Sequence, residues 1–328
     1  YAERDPRGGV RLATDYKDFS NFGEIMSELL LSQSFRLSDG RAITYAEYGA
    51  PNGKPVFYFH GQSGSRLEPA MLDGKELEKA GIRLIACDRP GMGGSDFQPG
   101  RGFSHWPTDV VALADSLGLE KFGVFGVSGG GGYVSACARW IPDRLTAAVI
   151  VSGAGQMDSP EARASLPVMN RLMWGLAAWS ARWIGLLLTL TIPKGQVDVD
   201  KIRRQMMRSM PPGEAVIFEK PGRLEAFMAS GTESMRQGIQ GIAWDTHICA
   251  RPWDFRLEEI HFPVRLLHGE ADMNVPVAVA RKVAATIPGC QATFYPGEGH
   301  FSTVINHFDE AMNAFGQREY LIELAQSG

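Results

Sequence analysis

The sequence predicts an α/β fold: a mostly parallel twisted sheet with helices on both faces and an inserted helical lid. Three observations carry that expectation. Short apolar runs alternate with segments of helical period along most of the chain. Several of those runs end in Gly-rich loops, as parallel strands do where they feed a helix. The alternation stops from about 152 to 254, where the chain becomes helical and rich in Met and Trp, and then resumes.

Taken in order, residues 1–33 read as an N-terminal extension with one amphipathic helix, its apolar positions Phe22, Ile25, Met26, Leu29 and Leu30 at helical spacing. Phe35-Arg36-Leu37 and Ala42 to Ala46 alternate around Asp39-Gly40, which predicts a hairpin. Buried strands follow at Pro55–Phe59 and Ile82–Cys87, with a helix over Leu72–Ala80 between them. A helix over Asp109–Leu117 leads to the run ending at Phe125, and Leu145–Val151 is the next strand. After the interruption come the strand Val264–Gly269, the helix Val277–Thr286, the strand Ala292–Tyr295 and a final helix from Phe308 to Leu324. The expected division is a core of 34–152 and 255–328 with a lid of 153–254.

Composition excludes several classes. With 328 residues the chain can bury a full core. A net charge of −4 gives no basic footprint for nucleic acid. Cys87, Cys137, Cys249 and Cys290 are far apart and lack a C-x-x-C spacing, so free thiols, a reducing cytoplasmic setting and no bound metal are expected. No charged segment followed by an apolar one opens the chain, so no secretory leader is read. The longest apolar stretch, Met173 to Ile192, is broken by Ser180 and Arg182. It is expected to be a docked helix without stable membrane insertion, and one that leaves a homodimer contact open.

The chemistry centres on Gly126-Val127-Ser128-Gly129-Gly130, set between an apolar strand and a small-residue helix. In that context G-x-S-x-G marks a sharp turn that projects the serine hydroxyl, with glycines where side chains would collide. An alkyl hydroxyl needs a base, and the base needs a carboxylate to orient it. Strand-end loops supply candidates. Asp272 follows Leu267 in Gly269-Glu270-Ala271-Asp272, and His300 follows Tyr295 in Glu298-Gly299-His300. Glu270 and Glu298 share those loops as weaker candidates, and His60 and Asp88 read as structural. The oxyanion needs two N–H donors, expected from Gly129 and from Gln62 in the loop after His60.

These landmarks, with His60-Gly61, Asp88-Arg89-Pro90-Gly91-Met92-Gly93-Gly94-Ser95 and Val275-Pro276, resemble the α/β-hydrolase superfamily in order and context from about Ser34 to Leu324. The serine sets the chain apart from the branches with an aspartate nucleophile. Gln62-Ser63-Gly64 departs from the proline that many relatives carry after His-Gly. The resemblance implies a serine hydrolase acting through an acyl-enzyme without a cofactor, on a small apolar ester, thioester or lactone. Three alternatives are a carbon–carbon bond hydrolase of diketone-like substrates, a proline-iminopeptidase-like aminopeptidase and a non-turnover ligand receptor. The aminopeptidase would need lid carboxylates such as Glu214, Glu219, Glu225 or Glu233 to meet a free amine. Trp174, Trp179 and Trp183 are expected to line the apolar side of the pocket. The last two, four residues apart, are expected on one helical face.

Overall fold

The computed structural model describes residues 31–72, 74–157, 160–166, 168–191, 204–205, 207–208 and 210–316. The helix expected near the N-terminus, the end of the expected final helix beyond 316, and residues 192–203, 206 and 209 of the segment expected to form a lid fall outside them.

Eight strands form one sheet: β1 (Gln33–Arg36), β2 (Ala42–Gly49), β3 (Lys54–Phe59), β4 (Ile82–Cys87), β5 (Phe122–Val127), β6 (Leu145–Val151), β7 (Val264–Gly269) and β8 (Gln291–Tyr295). Their order is β1-β2-β4-β3-β5-β6-β7-β8, with β1 and β2 antiparallel and every pairing from β4 to β8 parallel. Every strand expected from the sequence is present. The hairpin turn places Gly40 at φ 88°, a left-handed conformation that glycine adopts without strain.

The helices are α1 (Gly74–Lys79), α2 (Trp106–Ser116), α3 (Gly131–Trp140), α4 (Pro160–Ser165), α5 (Val168–Trp179), α6 (Ala181–Thr191), α7 (Pro212–Ala215), α8 (Arg223–Ser234), α9 (Gln240–Cys249), α10 (Val277–Thr286), α11 (His300–Asn306) and α12 (Phe308–Asn313). Helices α4 to α9 occupy the chain between β6 and β7.

The sheet is covered on both faces, which is why its central strands are apolar at successive positions rather than at alternate ones. Phe57, Phe59, Ile85, Val124, Ile150 and Leu266 face one core, with α2 and α3 against it. Val56, Tyr58, Leu84, Phe125, Val149 and Leu267 face the other, with α1 and α12. Both cores hold their strands with the carboxyl ends of β3, β5, β6, β7 and β8 on one edge. Ligands of parallel sheets gather at that edge.

One expected helix is two. The run from Met173 to Ile192 breaks at Ser180, where α5 ends and α6 starts. The Ser180 Oγ faces the N–H of Trp183 at 3.5 Å, the position from which serine begins a new helix. Among the described residues no helix is long and apolar enough to cross a membrane.

Candidate active site

Ser128 stands at the junction of β5 and α3 with φ 52°, a left-handed backbone that a non-glycine residue adopts only when its surroundings hold it there. The surroundings are specific. A Cβ on Gly126 would lie 2.6 Å from the Gly130 carbonyl oxygen, and one on Gly130 would collide with the carbonyl of Phe59. Only glycine fits at either position, so the turn is as sharp as the sequence pattern requires. The Ser128 carbonyl also accepts from the N–H of Ala154, 2.8 Å away, which ties the turn to the loop after β6.

The loops after β7 and β8 bring Asp272 and His300 together. Asp272 Oδ2 lies 2.7 Å from His300 Nδ1, and Oδ1 accepts the N–H groups of Asn274 and Val275, each at 2.8 Å. Both side chains are buried. Nε2 of His268 stands 3.6 Å from the same Asp272 oxygen but at 3.0 Å from the Val275 carbonyl. Burial pushes His268 below the ordinary imidazole range against the pull of Asp272, so it sits there as a neutral neighbour. The His300 carbonyl accepts from Ser152 Oγ at 2.9 Å. Glu270 pairs with Arg281 and Glu298 with Asn306, so neither carboxylate is used at His300.

Gln62 and Gly129 stand side by side. A Cβ on Gly129 would lie 3.1 Å from the backbone nitrogen of Gln62. The Gln62 side-chain amide is engaged elsewhere, donating to Thr246 Oγ1 of α9 at 3.0 Å. The main chain of Gln62 thus lies against Gly129, beside the Ser128 turn.

Ser128, His300, Gly61 and Gln62 line a cavity of about 510 Å³ whose remaining wall is largely apolar, with Met71, Met157, Trp174, Phe227, Phe301 and Ile305. Of the three tryptophans expected there, only Trp174 lines it. Trp179 is 71% exposed and Trp183 49% exposed, and their rings stack on each other with centroids 6.4 Å apart. The helix break at Ser180 is the reason: they belong to different helices, so a four-residue spacing places them on no common helical face.

Three charged residues with no local signature shape the site. Glu68 lines the cavity, where its carboxylate accepts from the Tyr58 hydroxyl at 2.6 Å and from the N–H of Gly61 at 2.9 and 3.1 Å. Burial pushes its pKa up, while those donors oppose the shift. Asp245 of α9 is fully buried between Arg89 and Arg101, at 2.8 and 2.5 Å, and also accepts from the Tyr133 hydroxyl. Burial works against its ionised form, but the two guanidinium groups hold it below the usual carboxylate range. Arg89 donates in turn to the carbonyls of His60 and Gly61. Glu214 of α7 accepts the N–H groups of Phe301 and Ser302, both at 2.9 Å, so it caps the helix that begins with His300.

Of the other carboxylates between β6 and β7 named above, Glu233 pairs with Arg66 at 2.7 Å and Glu219 is exposed. Neither they nor Glu225 line the cavity. His60 and Asp88 have the structural partners expected of them: Arg89 N–H for His60 Nε2, and Arg66 for Asp88.

Residues 54–303 match a family model described as serine aminopeptidase, S33. A bifunctional esterase/perhydrolase of Acinetobacter calcoaceticus is 29% identical over 286 residues, 80% of this chain and 90% of that one. A non-heme chloroperoxidase of Streptomyces lividans is 30% identical over 280 residues, 80% of this chain and 91% of that one. Among solved structures, a hydrolase from Pseudomonas aeruginosa superimposes with a TM-score of 0.63 at 20% identity, covering 87% of this chain and 97% of that one.

Proposed function

This chain belongs to the family described as serine aminopeptidase, S33, within the α/β-hydrolase superfamily, and we propose that it hydrolyses small apolar esters, thioesters or lactones through an acyl-enzyme. The observation that carries the proposal is the Asp272–His300 pair at 2.7 Å, with His300 lining one apolar cavity beside the strained Ser128. Ser128 Oγ attacks the substrate carbonyl and passes its proton to Nε2 of His300, while Asp272 holds Nδ1 and stabilises the imidazolium. The negative oxygen that forms is held by the N–H groups of Gln62 and Gly129. His300 then gives the proton to the leaving alcohol or thiol, and water repeats the sequence on the acyl-enzyme. In this reading the helices of 153–254 act as a lid whose apolar wall, including Trp174, selects the acyl group.

Esters are favoured over amines because the lid carboxylates Glu214 and Glu233 are committed to α11 and Arg66. The test is labelling with a fluorophosphonate followed by peptide mass spectrometry. A single adduct on Ser128, absent in Ser128→Ala, together with turnover of p-nitrophenyl esters, is the expected result. Hydrolysis that survives Ser128→Ala at near-normal rate would overturn the acyl-enzyme.

A further inference from the structure

Among the described residues, eleven large apolar side chains are exposed, and eight of them lie on α5 and α6. Chance does not concentrate them so. The inner faces of the two helices are buried, Ala177 and Ile184 against Ala243 and Ala250 of the α9 region. The outer faces carry Met169, Leu172, Trp179, Trp183, Leu186 and Leu190, between 49% and 71% exposed. The Trp179–Trp183 stack joins the two faces into one apolar surface.

Charge selects the occupant. Residues 168–191 contain Arg171 and Arg182, both exposed, and no Asp or Glu, in a chain whose net charge is −4. A second copy docking face to face through these two helices would bring together four guanidinium groups, and residues 168–191 offer no carboxylate to meet them. An anionic lipid surface supplies what both parts of the patch lack: phosphate for the arginines and acyl chains for the apolar side chains. Tryptophan and arginine are also the residues that sit well at the headgroup boundary. Helices of 12 and 11 residues are about 16–18 Å long, too short for the roughly 30 Å hydrocarbon core. On a bilayer they would lie along the interface and not span it.

We propose that the α5–α6 hairpin is a docking surface for anionic lipid bilayers. The proposal is independent of the chemistry at Ser128, because its readout is binding.

The experiment is sedimentation of the full chain with phosphatidylcholine vesicles, with and without about one third phosphatidylglycerol. Binding is expected to be stronger on the anionic vesicles and to weaken as salt is raised. Trp179→Ser with Trp183→Ser should lower the partition coefficient by about tenfold or more. Arg171→Gln with Arg182→Gln should retain weak binding and lose the preference for anionic vesicles. Unchanged melting temperatures show that the variants fold, and neither pair lines the cavity. A wild-type chain that stays in the supernatant with every vesicle would overturn the proposal, as would a tryptophan variant that binds as well as wild type. Ultracentrifugation showing a dimer that the tryptophan variant dissociates would assign the face to a second copy instead.

Discussion

Asp272 turns one carboxylate oxygen to Nδ1 of His300 at 2.7 Å and gives the other to two main-chain N–H groups of its own loop. The loop therefore fixes the carboxylate, and the carboxylate fixes the ring. Asp272→Asn keeps the size but presents an amide, which favours the wrong imidazole tautomer. A fall in kcat of about a thousandfold or more is expected from steady-state kinetics. Glu270→Gln and Glu298→Gln, whose partners lie elsewhere, should each cost less than about tenfold. The reverse ranking would move the orienting role to one of those glutamates.

The loop of Gly61 and Gln62 is held from α9 by Thr246, and by Asp245 through Arg89. Thr246→Val removes the acceptor for the Gln62 side chain without stranding a charge. We expect kcat to fall several-fold with KM nearly unchanged, because in the proposed mechanism the N–H of Gln62 acts in the transition state and not in ground-state binding. Asp245→Asn leaves two guanidinium groups buried without their counter-charge and should unfold the protein several degrees earlier by calorimetry. A rise in KM alone for Thr246→Val would place Gln62 in substrate binding instead.

Acid stability should follow from His60 and Glu68, which act in opposite directions. Burial and the neighbouring Arg89 hold His60 well below the ordinary imidazole range. Below about pH 6.5 the unfolded chain therefore takes up a proton that the folded chain refuses, and stability falls as pH drops, by at most about 1.4 kcal/mol per unit. Glu68 is raised by burial, so its contribution is full below the unfolded carboxylate pKa and is lost as pH rises through the folded value. Melting temperatures from pH 8 to 5 should decline on the acid side. His60→Gln should flatten that decline and Glu68→Gln should steepen it. Parallel curves for all three proteins would contradict the assignment.

Trp174 and Trp179 make a matched pair for the cavity wall, since one lines it and the other is 71% exposed. Trp174→Ala should remove about 3 kcal/mol or less of apolar contact and shift the ranking of p-nitrophenyl esters by acyl length. An acetyl ester should change least. Trp179→Ala should leave that ranking as it was. Equal effects of the two substitutions would show that the wall is drawn wrongly.

Much of the fold was legible because each strand is a compact apolar run bounded by turn residues, as Val56–Phe59 and Val264–Leu267 are. Ser128, Asp272 and His300 stood out because each occupies a short loop whose neighbours carry their own signal. Glu68, Asp245 and Glu214 had no such neighbours. Asp245 meets Arg89 across 156 residues, and Glu214 meets Ser302 across 88, so their roles exist only once the chain is folded. The break at Ser180 was missed for a different reason: a lone serine in an apolar helical run is an ordinary residue until its hydroxyl is seen facing the N–H of the next turn.

The segment between β6 and β7 is continuous in sequence but unequal in attachment. Asp245 and Thr246 bind α9 to Arg89 and Gln62 of the catalytic edge, whereas α5 and α6 present their outer faces to solvent. A chimaera that exchanged 153–254 whole for a relative's segment would discard the contacts that hold the loop of Gly61 and Gln62. One that exchanged α5 and α6 alone would keep them. The exchange that would also spare the cavity wall is narrower than the hairpin: it keeps Trp174, which lines the cavity, and alters only outward positions such as Leu172, Trp179, Trp183 and Leu186.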